Sequence, residues 1–333
     1  YIKEHEVLAW ARHDTDGSFE RVATIPEGSE DALYVVVKRV VNGVTTKYIE
    51  RMSNPEIADV VDATIMDSFL TYDGRNLGVT TMTLSGGTTW EYDETITLTA
   101  SASTFVAADV GNKIILNGPS DALIRFEIIA YSSGTVVTGR PHKLVPASMR
   151  STAFTDWARA VDQIIGLKHL EGRSVSVFAD GNVIANPNNS AYAALTVANA
   201  TLDLTTPYAV IHIGLPFLSD VQTLDIDTVD GETLVDKKMI INQVILKVQN
   251  TRGLFVGSRE PVTSPIDGLT ETKTRDDQDY EDPSPIIDGN IDILIESHWD
   301  SSGRVFIRNV DPTPFTISSV APKGMIPTRK KGT

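Results

Sequence analysis

Apolar and polar positions alternate along most of the chain, and the alternation reads as strands. Near the start, residues 8–13 and 19–25 flank Asp16-Gly17, and residues 34–41 and 44–49 flank Asn42-Gly43. Asp-Gly and Asn-Gly accept the positive φ that tight hairpin turns demand. Two consecutive hairpins are expected here, four strands that make a small antiparallel sheet or one propeller blade. Asn54-Pro55-Glu56 can start a short turn of helix, with proline at its first position. A strand over 63–72 should follow, ending at Asp73-Gly74.

Residues 75–145 repeat the rhythm on a smaller scale. Short apolar runs at 95–100, 113–116, 124–129 and 135–138 are separated by Gly, Asn, Asp and Pro turns. That spacing suggests a small barrel or sandwich. The segment 105–111 reads as a loop. Residues 150–166 show a different period. Phe154, Trp157, Ala158, Val161, Ile164 and Ile165 fall at helical spacing with Gly166 as a stop, so one amphipathic helix is predicted, with Trp157 in the core.

Beyond it the strand pattern returns at 174–179, 183–185, 201–204 and 209–215, with a turn at Asp180-Gly181-Asn182. His212, among apolar strand neighbours, reads as structural. Residues 239–249 fit a long strand, although 237–248 also tolerates a helical period. The polar segment 258–290 reads as a long surface loop. Strands at 290–299, 304–309 and 315–320 complete a terminal β meander, and 322–333 reads as a loose tail.

The fold class expected is therefore mainly β: antiparallel hairpins, partly propeller-like, with a small β barrel or sandwich insertion and one amphipathic helix. The domains expected are 1–74, an inserted module 75–148, and a β-rich unit 149–333.

Composition narrows the chemistry. The chain has 333 residues and no cysteine, which removes disulfides and thiolate metal sites. No signal peptide and no long apolar run is seen, so no membrane insertion is expected. The six histidines are scattered without a metal-binding spacing. The net charge is −15, and it is uneven. Residues 219–300 hold 18 acids and 7 bases, a balance of −11, whereas 301–333 hold 6 bases and 1 acid, a balance of +5. An acidic block argues against gripping phosphate backbones, which takes Lys and Arg to displace counterions.

No nucleophile elbow, phosphate loop or dinucleotide fingerprint is present, and no enzyme, cofactor or metal is expected. Three weaker patterns stand beside that reading. Asp14-x-Asp16-Gly17 has the start of a calcium loop but lacks its closing Glu. The pairs Asp225/Asp227 and Asp292/Glu296 imitate a glycosidase dyad. The acidic run Asp276, Asp277, Asp279, Glu281 and Asp282 could hold a cation, or reach a channel lumen or a neighbouring subunit.

Three stretches together resemble one family. They are Leu8-Ala9-Trp10-Ala11-Arg12-His13 with Val35-Val36-Val37-Lys38-Arg39 and Lys47-Tyr48-Ile49-Glu50-Arg51-Met52; Gly166-Leu167-Lys168-His169-Leu170-Glu171-Gly172-Arg173 with Ser174-Val175-Ser176-Val177-Phe178-Ala179-Asp180-Gly181; and Ile211-His212-Ile213-Gly214-Leu215-Pro216-Phe217. Asp300-Ser301-Ser302-Gly303-Arg304-Val305-Phe306-Ile307-Arg308 and Asp311-Pro312-Thr313-Pro314-Phe315-Thr316-Ile317 fit its end. The pattern resembles the tail nozzle proteins of short-tailed bacteriophages, also called tail tubular protein B or packaged-DNA stabilisation proteins. The resemblance implies a β-rich virion protein, made in the host cytoplasm, with six copies forming a tube below the portal and adaptor. DNA would be retained above it and leave through it without sequence-specific binding, with tail fibres as further neighbours. The family pattern is longer, so the resemblance also implies a missing N-terminal part or a shorter variant, with 75–145 as an insertion. Two other readings stay open: a receptor- or carbohydrate-binding tail module using Trp90 and Tyr92, and a hydrolase of cell-wall glycan using an acid pair.

Overall fold

A computed structural model describes residues 12–53, 57, 59–119, 122–229, 232–234, 237–274 and 283–325. The fold is mainly β, built from antiparallel sheets with short 3-10 turns and, among the described residues, no closed barrel.

The first sheet is a meander of Ser18–Glu27, Glu30–Val41 and Val44–Arg51. Asn42 at φ 48° and Gly43 at φ 75° make the second turn, as the dipeptide requires. The first turn lies at Gly28-Ser29 rather than Asp16-Gly17. Of the four strands expected, three are seen. Residues 8–11 lie outside the described residues, and Arg12 and His13 are in no strand.

The largest sheet has eight strands, in the order Ala153–Phe154, Met82–Ser85, Ile96–Ala100, Val136–Pro141, Leu123–Ser133, Lys113–Asn117, Trp157–Ile165 and Thr201–Tyr208. One face is apolar at every second position: Ile96 and Leu98, Ile114 and Leu116, Ile124, Phe126 and Ile128 are buried. The sheet folds over so that Met82, Leu84 and Trp157, from strands far apart in the order, share this core. The Trp157 indole N–H donates to the Thr80 carbonyl at 2.8 Å. The module is thus a rolled but open sheet, not a barrel.

The helix predicted over 150–166 does not form. Ala147–Met149 is a single 3-10 turn, and Ala153–Phe154 and Trp157–Ile165 are strands. Burial on both faces of one strand explains the false period. The pairing of Trp157–Ile165 with Thr201–Tyr208 shifts between Val161 and Gln163. The extra residues lie on the partner strand, which advances from Tyr208 to Asp203 while this one advances by two, so the phase here is unbroken. Trp157 is buried on one face and Ala158, Ala160 and Ile164 on the other, and burial on both faces mimics helical spacing. The strand also serves several cores. Trp157 joins the large sheet's core, Ala158 and Ala160 pack with Ile115 and Ala209, and Ile164 packs with Leu202 and Val175.

A third sheet runs Asn182–Ala185, Ser174–Ala179, Val210–Leu215, Asp67–Asp73, with Leu195–Thr196 added to Ser174–Ala179. A 3-10 turn, Val60–Asp62, precedes Asp67–Asp73, while Asn54, Pro55 and Glu56 lie outside the described residues.

In the last third, Met239–Thr251 is a strand and not a helix. It lies between Ile287–Leu294 and Thr316–Met325. Ser219–Gln222, Phe306–Asn309, Leu254–Gly257 and Thr270–Glu271 form a second sheet. Val244 and Leu246 share a core with Val256 and Ile307, so the two sheets pack face to face. The terminal meander expected from 290–320 is therefore not one: its middle strand belongs to the other sheet. A 13-residue strand such as Met239–Thr251, buried at Met239, Ile241, Val244, Leu246 and Val248, takes a central place with cover on both edges. The tail expected to be loose from 322 stays in a strand as far as Met325.

Candidate functional site

The hairpin sheet differs from the others in how little of it is covered. Its middle strand is anchored at one end, where Val37, Arg39 and Val41 are buried on one face. The Arg39 guanidinium donates in parallel to Glu50, at 3.0 and 2.8 Å, and reaches Asp67 at 3.3 Å. It also donates to the Asp16 carbonyl. Asp67, which opens a strand of the third sheet, accepts from the Thr15 hydroxyl at 2.6 Å. Arg173 forms an ion pair with Asp16. The planar arginine fork suits this two-carboxylate junction. Sequence reasoning missed it, although an arginine at the apolar phase of an alternating strand was the available signal.

Away from the anchor, apolar side chains stand in solvent. Val22 is 67% exposed and Ile49 77%, with Phe19, Ile25 and Val44 also exposed. Among the described residues, Ser18–Glu27 and Val44–Arg51 each pair on one side only. Unpaired backbone beside exposed apolar side chains is a surface for association. Charged cross-strand pairs limit uncontrolled growth there: Lys47 with Glu20 at 2.6 Å and Arg51 with Glu27 at 2.9 Å.

The acids singled out by sequence fare differently. Asp276, Asp277, Asp279, Glu281 and Asp282 lie outside the described residues. Asp14 pairs with Arg12 at 2.6 Å and Asp16 with Arg173, so both carboxylates of the calcium-like pattern face arginines. Asp225 pairs with Arg304, and residues 225 and 227 are in no strand, so strand alternation does not put the two acids on one face. Asp292 accepts from the Gln243 amide at 2.6 and 2.7 Å, while Glu296 lies beyond the strand's end, 3.8 Å from His298. Asp225 and Asp292 are thus each held by a residue other than the second acid of its pair. No group of three or more His, Asp or Glu is placed to hold a metal among the described residues.

His212 is buried in its strand, as expected. Its Nε2 lies 2.8 Å from the Val61 carbonyl, so that nitrogen carries the proton, and Nδ1 accepts from the Thr71 hydroxyl at 2.8 Å. Burial holds its pKa below the usual histidine range. Trp90 is buried with the Arg150 guanidinium 5.5 Å from its ring centroid, so it cannot stack on a sugar, whereas Tyr92 is exposed.

A second polar region joins the third sheet to the last third of the chain. Asn186 donates to the Val310 carbonyl at 2.7 Å and to Asp311 at 2.9 Å, and Asn189 donates to Asp311 at 3.2 Å. Arg252 donates to the Gly181 carbonyl at 2.6 Å. An open cleft of about 240 Å³ adjoins this seam, lined by Tyr192, Glu271 and Asp311 among others. Burial raises the pKa of both carboxyls and pushes the Tyr192 hydroxyl up to about 12. Asp311 is committed to two side-chain amides, and the cluster acts as a clamp between sheets.

No helix among the described residues is long and apolar enough to cross a membrane. No known family profile matches the chain, and neither does any curated protein.

Proposed function

We propose that the chain is a structural virion protein, the subunit of a homohexameric tail nozzle through which a short-tailed phage retains and then releases its genome. The observation that carries the reading is the hairpin sheet: strand edges unpaired on both sides among the described residues, exposed Phe19, Val22, Ile25, Val44 and Ile49, and a firm anchor at Arg39. Exposed edges on both sides suit a head-to-tail contact, in which one edge of a copy meets the other edge of the next; such contacts make a ring when the rotation between copies closes. The mainly antiparallel architecture and the sequence resemblance support the same reading. So does the −11 balance over 219–300, because a negative channel wall does not grip phosphates and a duplex can slide past it. The adaptor above and tail fibres beside the tube are the partners this role calls for. In this role the chain works by assembly and not by turnover.

A receptor- or carbohydrate-binding tail module is the second reading, favoured by the exposed Tyr92 beside charged strand residues. Electron microscopy of the purified protein and of its particle separates the two. End-on averages with a sixfold ring and a central channel support the nozzle. Monomers or trimers without a channel, in particle and in solution, overturn it.

A further inference from the structure

The solvent face of the eight-stranded sheet carries a charged cleft of about 310 Å³. Strand register builds it. Lys113 stands opposite Glu127, and Glu127 opposite Arg140, so three charged side chains form one cross-strand row. Arg125 lies two residues along from Glu127 on the same face, with His142 beside it: the Arg125 N–H donates to His142 Nδ1 at 2.9 Å. In the neutral imidazole that leaves the proton on Nε2. With histidine neutral, the lining has three cations against Asp93 and Glu127, in a chain whose net charge is −15. The alternate residues of the same strands, Ile114, Phe126 and Val137, are wholly buried, which fixes the orientation of the row.

An aromatic wall completes the cleft. Tyr92 is 65% exposed on a loop held from both ends. The Glu94 carboxylate accepts the backbone N–H groups of Thr88 at 2.6 Å, Thr89 at 2.9 Å and Trp90 at 2.5 Å. Trp90 is in the left-handed region at φ 64°, packed under Arg150, and its carbonyl accepts from Val145 N–H at 2.9 Å. A bulky residue adopts that conformation only when its surroundings impose it. The loop therefore presents Tyr92 in one place beside the charged row.

We propose that this cleft binds an anionic saccharide. The cations of the row would meet its carboxylate, sulfate or phosphate groups, Asp93 and Glu127 would accept its hydroxyls, and the Tyr92 ring would lie against a sugar face. A cleft of this size with a few convergent polar groups suits a small ligand. A rigid aromatic wall distinguishes it from a simple anion site. The inference shares Tyr92 with the carbohydrate-binding reading, which it deepens by naming an acidic ligand, and the binding can be measured whether or not the chain forms rings.

The test is a panel of carboxylated, sulfated, phosphorylated and neutral oligosaccharides probed with the full chain, followed by calorimetry on the tightest binder. Acidic oligosaccharides should bind and their neutral counterparts should not. Arg140→Ala and Lys113→Ala should each weaken binding about tenfold, the loss of one charge-assisted hydrogen bond. Tyr92→Ala should weaken it while Tyr92→Phe retains it. All three sites line the open cleft, and circular dichroism checks that the variants fold. No preference for acidic over neutral oligosaccharides overturns the proposal. So does affinity unchanged by these variants, or inorganic phosphate binding as tightly as the oligosaccharide.

Discussion

The eight-stranded sheet and the hairpin sheet are built from the same alternation and use it in opposite ways. In Ile96–Ala100 every second residue is buried, and the buried set closes over a core that includes Met82, Phe126 and Trp157. In Ser18–Glu27 almost every residue is exposed, although Phe19, Val22 and Ile25 are as apolar as anything in the core. The large sheet satisfies its own apolar face by folding over. Three strands cannot do that, so the hairpin sheet leans on the body through Arg39 and leaves the rest uncovered. Alternation alone thus says that a strand forms, and not whether or by what its apolar face is covered.

The contrast can be broken at several points. The largest effect belongs to the closed core. Phe126→Ala should cost about 3–5 kcal/mol, the range for a large aromatic removed from a packed interior, read as a lower urea midpoint. A loss below about 1 kcal/mol would mean that the rolled sheet is loosely packed. Next comes the hairpin anchor. Arg39→Ala leaves Glu50 and Asp67 facing each other without their cation. It should cost about 2 kcal/mol, less than a fully buried pair because both carboxylates keep contact with water. Proteolysis within 12–52 should rise in parallel, while the large sheet's core stays protected from hydrogen exchange.

A smaller effect should appear with pH. His212 and His169 have their pKa lowered by burial, so the unfolded chain binds more protons than the folded one as the pH falls. Their contribution is complete above the ordinary value of 6.5 and is lost as the pH drops below it toward the folded value. The unfolding midpoint should fall over that window, and His212→Asn should remove part of the slope. A midpoint rising on acidification through the same window would contradict the buried neutral imidazoles. The smallest effect on stability is expected where the largest effect on assembly is. Val22→Lys with Ile49→Lys should change unfolding by no more than about 0.5 kcal/mol per site, since both side chains are already in water.

Much of the strand pattern was legible in the sequence. Asn42-Gly43 specifies its own backbone, and the runs at 113–116, 124–129, 174–179 and 209–215 are strands because β-branched residues and turn signals agree there. What failed depended on distant partners. Trp157–Ile165 looked like a helix because periodicity does not record that a strand can serve several cores. The C-terminal strands are placed by Met239–Thr251, whose central position no local pattern states. The site followed the same rule. His212 was legible as structural because it stands among apolar residues of its own strand, although Val61 and Thr71, which hold its ring, are distant in sequence. The Arg39 junction and the Tyr92 cleft join residues far apart in the chain, and each left only a faint local mark: an arginine in apolar phase, and an aromatic in a loop.

The central claim is that copies of the chain meet through the hairpin sheet. Light-scattering mass of the wild-type chain and of the Val22→Lys, Ile49→Lys double variant, at matched concentration, tests it most directly. The account predicts a six-copy particle for the wild type and a single folded copy for the variant, with nearly equal unfolding midpoints. A wild type that stays monomeric at every concentration, or a variant that assembles as well as the wild type, would contradict it.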